Sequence, residues 1–595
     1  MTSESLSGIY QHRLDDIRNA IRDRSRRIGY ISLFRLISLA AAVYFLVRGI
    51  RTDQLPWYGG CLLMVIVFLI LVARHNRQNE RRRILRELEW LNETELGCLE
   101  HRYDGLPDGS DYIDRSHPWS HDLDIFGQGS LYQYLNRTAT LKGNQDLARI
   151  LTTEPENPEE VRLRQEIIRD LSEKIGFRQD FTARARLIRE NKDDLEDLSG
   201  WLSGEAYITK QRWLFPLALL VSVIAMAIIV SGIVDLSNFR LLLPLLFFNW
   251  FILTPFFART NRYQSAISRK HELLEGYAAL LQIISATQFS HPDLKRKQEE
   301  AMEGHLEVRR LSKLLNVFDQ RLNLLLGVIF NSLFLFDFIM LHLLERWKHK
   351  NRDHILQWIE ITGWMDARIS LAGFAFNHPG YAYPRLDDGM DGMELEQLGH
   401  PLIPARQRVD NDFAIRGERV VIITGANMAG KSTFLRSLGV NTVLTYAGCP
   451  VCAGKFNTGF SGLHTSMRTA DSLRDEESYF LAEIKRLEQI VRRMERKEPL
   501  LILLDEVLKG TNTTDKRLGS VGLIEKALRY PVRCFIATHD LSLGALEGEH
   551  PGGVVNYCFE SRIRESKLEF DFTIRKGVAK NMNASFLMKQ MRIMD

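Results

Sequence analysis

Six cysteines scattered through 595 residues are too few for a disulfide framework, and their scarcity fits a reducing compartment. The chain also lacks an excess of charge of either sign. Its 78 lysines and arginines stand against 74 aspartates and glutamates, a formal net charge of +4. That balance neither demands nor excludes nucleic acid, because a local basic surface can sit inside a nearly neutral total. Apolar residues are not in short supply: 45% of the chain is hydrophobic and 26% charged, which excludes a wholly disordered polymer. The length exceeds one compact domain and implies three or four structural units.

The apolar residues are unevenly spread. Gln54–Ala73, Trp213–Val234 and Leu241–Ala258 contain no acid or base until Arg240 and Arg259 at their margins. Each is long enough to cross a hydrocarbon core of about 30 Å at about 1.5 Å per residue. Ile28–Val47 is a fourth such stretch, with Arg35 near enough to one end to snorkel to the interface. Arginines crowd the outer flanks, from Arg18 to Arg27, Arg74 to Arg83, and Arg259 to Lys270, whereas the short connecting loops carry fewer bases. Two transmembrane hairpins (about 28–47 with 54–73, and 213–234 with 241–258) are therefore expected in an inner or cytoplasmic membrane. All large soluble parts would then lie on the cytoplasmic side. A fifth run, Leu322–Leu344, contains Asn323, Asn331, Asp337 and His342, which are costly in lipid; it is expected as a buried helix of the soluble core. The basic run Arg81-Arg82-Arg83 would lie just inside the membrane, where anionic lipid is the natural partner.

Chemistry concentrates in the last third of the chain. Arg419–Thr424 reads as a buried β-strand and runs into Gly425-Ala426-Asn427-Met428-Ala429-Gly430-Lys431-Ser432-Thr433, which opens a helical pattern. This is G-x4-G-K-[ST] in the strand–loop–helix context the motif requires. Such a loop wraps backbone N–H groups around phosphate oxygens at a helix N-terminus, so ATP is the expected ligand. Lys431 would reach the β- and γ-phosphates, and the Ser432 hydroxyl would ligate Mg²⁺. Leu500–Leu504 is a second buried strand ending in Asp505-Glu506. The first carboxylate suits the Mg²⁺ ion; the second is placed to orient or deprotonate an attacking water. A third strand, Cys534–Ala537, ends in Thr538-His539-Asp540, and His539 is positioned to sense a γ-phosphate. Cys449-x-x-Cys452 has no second pair at metal-ligand spacing, which argues against a zinc or redox site.

These motifs together resemble the MutS mismatch-repair family within the ABC class of ATPases. The phosphate loop TGANMAGKST (Thr424–Thr433) is similar to the family's T-G-P-N-M-G-G-K-S-T, and Asp505-Glu506 through Gly510-Thr511 to Asp515 is similar to its D-E-x-x-x-G-T-x-x-x-D. Ser478-Tyr479-Phe480 through Glu483 resembles its S-T-F-x-x-E helix. The resemblance implies that Ser478 caps a γ-phosphate bound in the opposite subunit of a homodimer; from its own context Ser478 reads as a helix N-cap. Gly399-His400-Pro401 resembles the element that helps hold the nucleotide base, which adds His400 to the site. Gly129–Thr140 resembles the opening of the family's helical core, and Lys576–Ala579 its closing element.

The family's mismatch-reading domain with its Phe-x-Glu wedge finds no counterpart in residues 1–124, and mismatch recognition does not carry over. The chain is expected to be multidomain. Residues 1–124 would form a transmembrane hairpin with a linker. Residues 125–380 would be an all-α core and lever domain interrupted by the second hairpin, and 381–595 a C-terminal α/β P-loop ATPase domain of ABC type. Expected partners are a second copy of the chain, membrane lipid and DNA; a protein or lipid in place of DNA is the alternative. A transporter reading is opposed by the absence of an L-S-G-G-Q signature.

Overall fold

The computed structural model describes residues 3–267, 270–387, 392–468, 479–509, 511–564 and 567–580. Two long helices, α1 (Ser3–Thr52) and α2 (Leu55–Leu99), form an antiparallel pair. Asp53 takes the left-handed conformation at their junction (φ 49°), and Pro56 occupies the first turn of α2, where its missing N–H costs nothing. The apolar middle of the pair is exposed, including Leu33, Phe34, Leu62 and Leu69, whereas the N-terminal turns of α1 and the far end of α2 are buried in the body through Leu6, Tyr10, Leu91 and Cys98.

The body is built from α3 (Leu131–Leu135), α4 (Leu141–Thr152), α5 (Pro158–Ser172), α6 (Ile175–Ala185) and α7 (Lys192–Ser203), then, after α8 (Leu214–Val234), α9 (Leu242–Leu253) and α10 (Phe257–Ile267), from α11 (Lys270–Ala286), α12 (Pro292–Asp319), α13 (Leu324–Phe334), α14 (Phe336–Asn351) and α15 (Ile355–Asn377). The almost wholly buried α15 is the hub, packed against α4, α5, α6, α11 and α12. Its Asp366 Oδ2 accepts from the backbone N–H groups of Ala139 and Thr140 (2.9 and 2.8 Å) and from the Thr140 hydroxyl, fixing the start of α4. Gly143 lies so close beneath this carboxylate that a Cβ would collide with it.

At its C-terminal end α15 meets the helical pair. The Tyr10 hydroxyl donates to Asn377 Oδ1 (2.7 Å), Asn377 Nδ2 donates to Glu95 Oε2 (2.7 Å), and Glu95 pairs with Arg137 (2.8 Å). Residues 100–124 also pack into the body: Trp119 and Leu123 are buried, and the Asp122 carboxylate accepts from the Thr465 hydroxyl (2.7 Å) and the Met467 N–H (3.1 Å).

Among the described residues, four helices (Ser5–Thr52, Leu55–Leu99, Leu214–Val234 and Leu236–Ser265, the last counting its 3-10 turns) are long and apolar enough to cross a membrane. The run Leu322–Leu344 departs from expectation. It is not one buried helix but two, α13 and α14, bent by 89° at Leu335, which adopts a left-handed conformation (φ 51°). Leu324, Leu325, Val328 and Ile329 of α13 are exposed, while α14 is largely buried.

The α/β part contains β1 (Arg385–Leu386), β2 (Met393–Leu398), β3 (Asn411–Ile415), β4 (Val420–Gly425), β5 (Lys455–Thr458), β6 (Gly462–Ser466), β7 (Leu500–Asp505), β8 (Val532–Thr538), β9 (Val554–Arg564) and β10 (Lys567–Lys576). A small sheet has the order β1-β5-β2-β3, and the main sheet β10-β9-β4-β8-β7-β6. All neighbours in the main sheet are parallel except β9 and β10. Its helices are α16 (Lys431–Tyr446), α17 (Tyr479–Glu495), α18 (Thr513–Ala527) and the short α19 (Leu546–Glu549).

Strand alternation divides the apolar residues between two layers. Val421, Ile423, Leu501, Leu503 and Phe535 face α16 and merge with the core of the helical body. Val420, Ile422, Ile502, Leu504 and Ile536 face α17 and α18 through Ile490, Met494 and Ile524. Gly439 of α16 admits Leu123 close to its backbone, with 2.6 Å to an added Cβ, so the 100–124 segment is wedged against the helix that follows the phosphate-type loop.

Candidate nucleotide site

Three adjacent strand ends build the site. Strand β4 is buried at every position and ends at Gly425, whose φ of 153° and whose approach to the Phe559 carbonyl (2.6 Å from an added Cβ) exclude a side chain. The loop then exposes Asn427 and Met428, the latter left-handed at φ 66°, buries Ala426 and Ala429, and turns into α16 at Gly430 (φ 112°). Parallel registry places β8 beside β4 and β7 beside β8, so their C-terminal ends bring Lys431, Asp505, Glu506 and His539 around one opening.

Lys431 Nζ lies under the loop and donates to the Gly425 and Ala426 carbonyls (2.8 and 3.0 Å). Burial pulls its ammonium down to about 8, against the opposing pull of Asp505 and Glu506. His539 Nε2 is 2.8 Å from Glu506 Oε1, and that hydrogen bond holds the Glu506 carboxyl down at about 2. Lys431 Nζ lies beside the same imidazole, 3.3 Å from Nε2 and 3.5 Å from Nδ1. Glu506 itself is left-handed (φ 58°), and its N–H donates to the Ala537 carbonyl (2.9 Å), which ties the end of β7 to β8.

The resulting polar cleft, about 380 Å³, is lined by Asn427 to Thr433 with Asp505, Glu506, Lys509, His539 and Phe572. A second, more apolar cleft of about 180 Å³ adjoins it, sharing Gly430, Thr433 and Phe572 and adding His400, Arg408 and Phe559. Burial, with Arg436 and Arg408 nearby, pushes His400 down to about 4, so its imidazole is neutral; its Nδ1 accepts from the Leu402 N–H (3.3 Å). Asn441 of α16 secures this wall by donating to the Gly399 carbonyl (2.9 Å) and accepting from the Cys452 N–H (2.7 Å). Cys449 and Cys452 are accordingly buried free thiols, and burial raises both.

The Ser432 hydroxyl and the Asp505 carboxylate line the same cleft. Two hard oxygen donors suit Mg²⁺, which takes one or two protein oxygens and completes its shell with water and phosphate. Among the described residues no group of three or more His, Cys, Asp or Glu side chains that could hold a metal ion is assembled.

Two expected residues, Ser478 and Gly510, lie outside the described residues. The remaining expected residues, including His400, all fall on the two clefts or, for Gly425 and Ala426, on the strand end beneath them. Two contributors were not assigned to the site by sequence reading. Phe572 reaches the junction of the clefts because β10 slips its register between Phe570 and Ile574, a bulge held by Asn411, which donates to the Phe572 carbonyl (3.1 Å) and accepts from the Ile574 N–H (2.8 Å). Glu483 of α17 accepts from the N–H groups of Leu508 and Lys509 (2.5 and 3.1 Å), clamping the loop after Asp505-Glu506. The only sequence signal for Glu483 was its place in the Ser478–Glu483 motif; Phe572 had none.

Residues 421–590 match the family described as MutS domain V. The DNA mismatch repair protein MSH3 of Meyerozyma guilliermondii is 30% identical over 239 residues, 38% of this chain and 24% of that protein. The DNA mismatch repair protein MutS of Thermotoga neapolitana is 33% identical over 218 residues (36% and 27%), and the protein named MutS 2 of Halobacterium salinarum 30% over 217 residues (35% and 25%). The chain thus spans about a quarter of the length of these curated relatives. Residues 421–590 are therefore a MutS-like domain V.

Proposed function

We propose that the chain is a membrane-anchored, MutS-like ATPase that binds ATP and Mg²⁺ at a composite dimer site and uses hydrolysis to move the helical body, with DNA as the partner acted upon. The observation that carries the reading is the convergence of Lys431, Asp505-Glu506 and His539 at three neighbouring strand ends, beside an apolar cleft of a size and polarity suited to a base. The loop N–H groups and Lys431 hold the phosphates; Ser432 and Asp505 hold Mg²⁺, which supplies charge neutralisation on the phosphate oxygens. Glu506 is fully ionised at neutral pH and orients the attacking water, while His539 fixes the carboxylate and faces the phosphate side. Ser478 of a second copy completes the site.

Anchoring is supported by the four helices long and apolar enough to cross a membrane and by their arginine-rich flanks; on this reading both hairpins lie in an inner or cytoplasmic membrane, with lipid as their partner and the nucleotide domain on the cytoplasmic side. Because the relatives match over only about a quarter of their own length, a protein or lipid partner in place of DNA is the second reading.

Replacing Glu506→Gln tests the core of the proposal. Turnover is expected to fall by at least about 100-fold, within the usual range for loss of a positioned base, while ATP binding measured with a fluorescent analogue persists. Unchanged turnover would remove Glu506 from its role.

A further inference from the structure

The broken pair α13–α14 lies beside the α8–α9 hairpin, and its geometry decides how the chain meets the bilayer. We propose that α13 is a re-entrant half-span: it enters the lipid acyl chains alongside α8 and α9 and returns to the face from which it came. The inference rests on the membrane reading of α8 and α9 and goes beyond it by fixing the number of crossings and a further lipid contact.

Length excludes a crossing by α13. Its 11 residues rise about 16 Å, roughly half of a hydrocarbon core of about 30 Å. After the 89° bend, α14 runs back into protein. The Glu345 carboxylate of α14 accepts from the N–H groups of Tyr207, Ile208 and Thr209 (2.6, 3.0 and 2.7 Å), and Lys348 Nζ donates to the Trp201 and Gly204 carbonyls. These bonds bind α14 to the segment that leads into α8, not to lipid.

The exposed side of α13 carries Leu324, Leu325, Val328 and Ile329, continuous with the exposed apolar surface of its neighbours α8 and α9, such as Val223 and Phe251. Acyl chains that cover those helices cover α13 as well. A helix ending at membrane depth must have its free carbonyls met by protein, and the hairpin supplies the donors. Asn249 of α9 donates to the Ser332 carbonyl (2.6 Å), Ser222 of α8 donates to the Phe334 carbonyl (3.1 Å), and Trp250 Nε1 donates to the Ser332 hydroxyl (2.9 Å).

At the bend, Asn331 accepts from the Asp337 N–H (2.9 Å), and Arg321 grips Asp337 with two bonds (2.9 and 2.8 Å). Gly327 sits so close to the Arg321 carbonyl that no Cβ fits, which presses α13 back on the turn it came from. Both flanks carry exposed cations, with Arg309, Arg310 and Lys313 before α13 and Arg346, Lys350 and Arg352 at and after the end of α14, as a return to one face requires.

The test uses the full chain in liposomes, with single reporter cysteines on a Cys61→Ser background, since the other native cysteines are buried. Spin labels at Leu325→Cys and Val328→Cys are expected to show high oxygen and low nickel-chelate accessibility, like Val223→Cys on α8 and unlike Met302→Cys on α12. An impermeant maleimide is expected to label Arg309→Cys and His349→Cys from the same side of sealed vesicles. Nickel access at 325 and 328 with lipid access at 223 would overturn the half-span while leaving the hairpin intact. Labelling of 309 and 349 from opposite sides would make the pair a crossing and also overturn it. Nickel access at 223 as well would remove the membrane reading itself, and the half-span with it.

Discussion

Lys431 is a cation held where cations are expensive. Burial brings its ammonium to about 8, so a growing fraction is neutral above that pH. Phosphates favour the charged form and raise this value in the complex, so affinity is full below about pH 8 and weakens as pH rises from about 8 towards the bound value, by up to about tenfold per unit. Titrating Glu506→Gln with a fluorescent ATP analogue from pH 7 to 9.5 should show that bend; a flat profile would mean the amine is not the phosphate ligand. The residues of this half of the site were legible in the sequence because local spacing encodes them: a β-branched strand, a glycine loop and a helix start within 15 positions fix Lys431 without tertiary information. Phe572 was not legible, because its place depends on a register slip and on Asn411 from another sheet.

Between elements, the decisive joint is that of α17 with the loop beyond β7. Glu483 carries two backbone N–H groups of a loop whose Glu506 and Leu508 are both left-handed (φ 58° and 60°), conformations that non-glycine residues keep only when neighbours hold them. Hydrogen bonds to a charged group are worth about 1.5–3 kcal/mol. Glu483→Ala is therefore expected to lower kcat by about tenfold or more as Glu506 loses its fixed position, with ATP affinity changed less than about threefold and Glu483→Gln intermediate. Equal losses of kcat and affinity would assign Glu483 to general folding. The three strands that carry the site, β4, β7 and β8, were legible as apolar runs, and α8 begins within one residue of its expected start. The break at Leu335 was not, since neither glycine nor proline marks it and leucine is a poor residue for a left-handed position; the hydrogen bonds of Asn249 and Ser222 hold it from a distant part of the chain, with Asn331 bonding across the bend.

For the molecule as a whole, the proposed DNA partner can be tested directly. If DNA is the partner, the purified chain should bind duplex in a salt-dependent manner that ATP modulates, without preference for a mismatch. A filter or anisotropy titration across salt reads this directly. Mismatch preference would show that a reader exists elsewhere in the chain, and no binding at low salt would turn the assignment to a protein or lipid partner. Residues 100–124 were the least legible part at this scale: they lack periodicity and act through Trp119, Leu123 and Asp122 on residues more than 300 positions away.

The anchoring of Tyr10 to Asn377 gives the first helix pair a mechanical meaning. About 40 residues of uninterrupted helix separate Tyr10 from Thr52, a rigid pole of roughly 60 Å. A tilt of about 5° where α15 grips its base displaces the far tip by on the order of 5 Å. A small angular change in the body is thereby magnified into a displacement comparable to a full helical turn at the distal end, with no flexible tether to dissipate it.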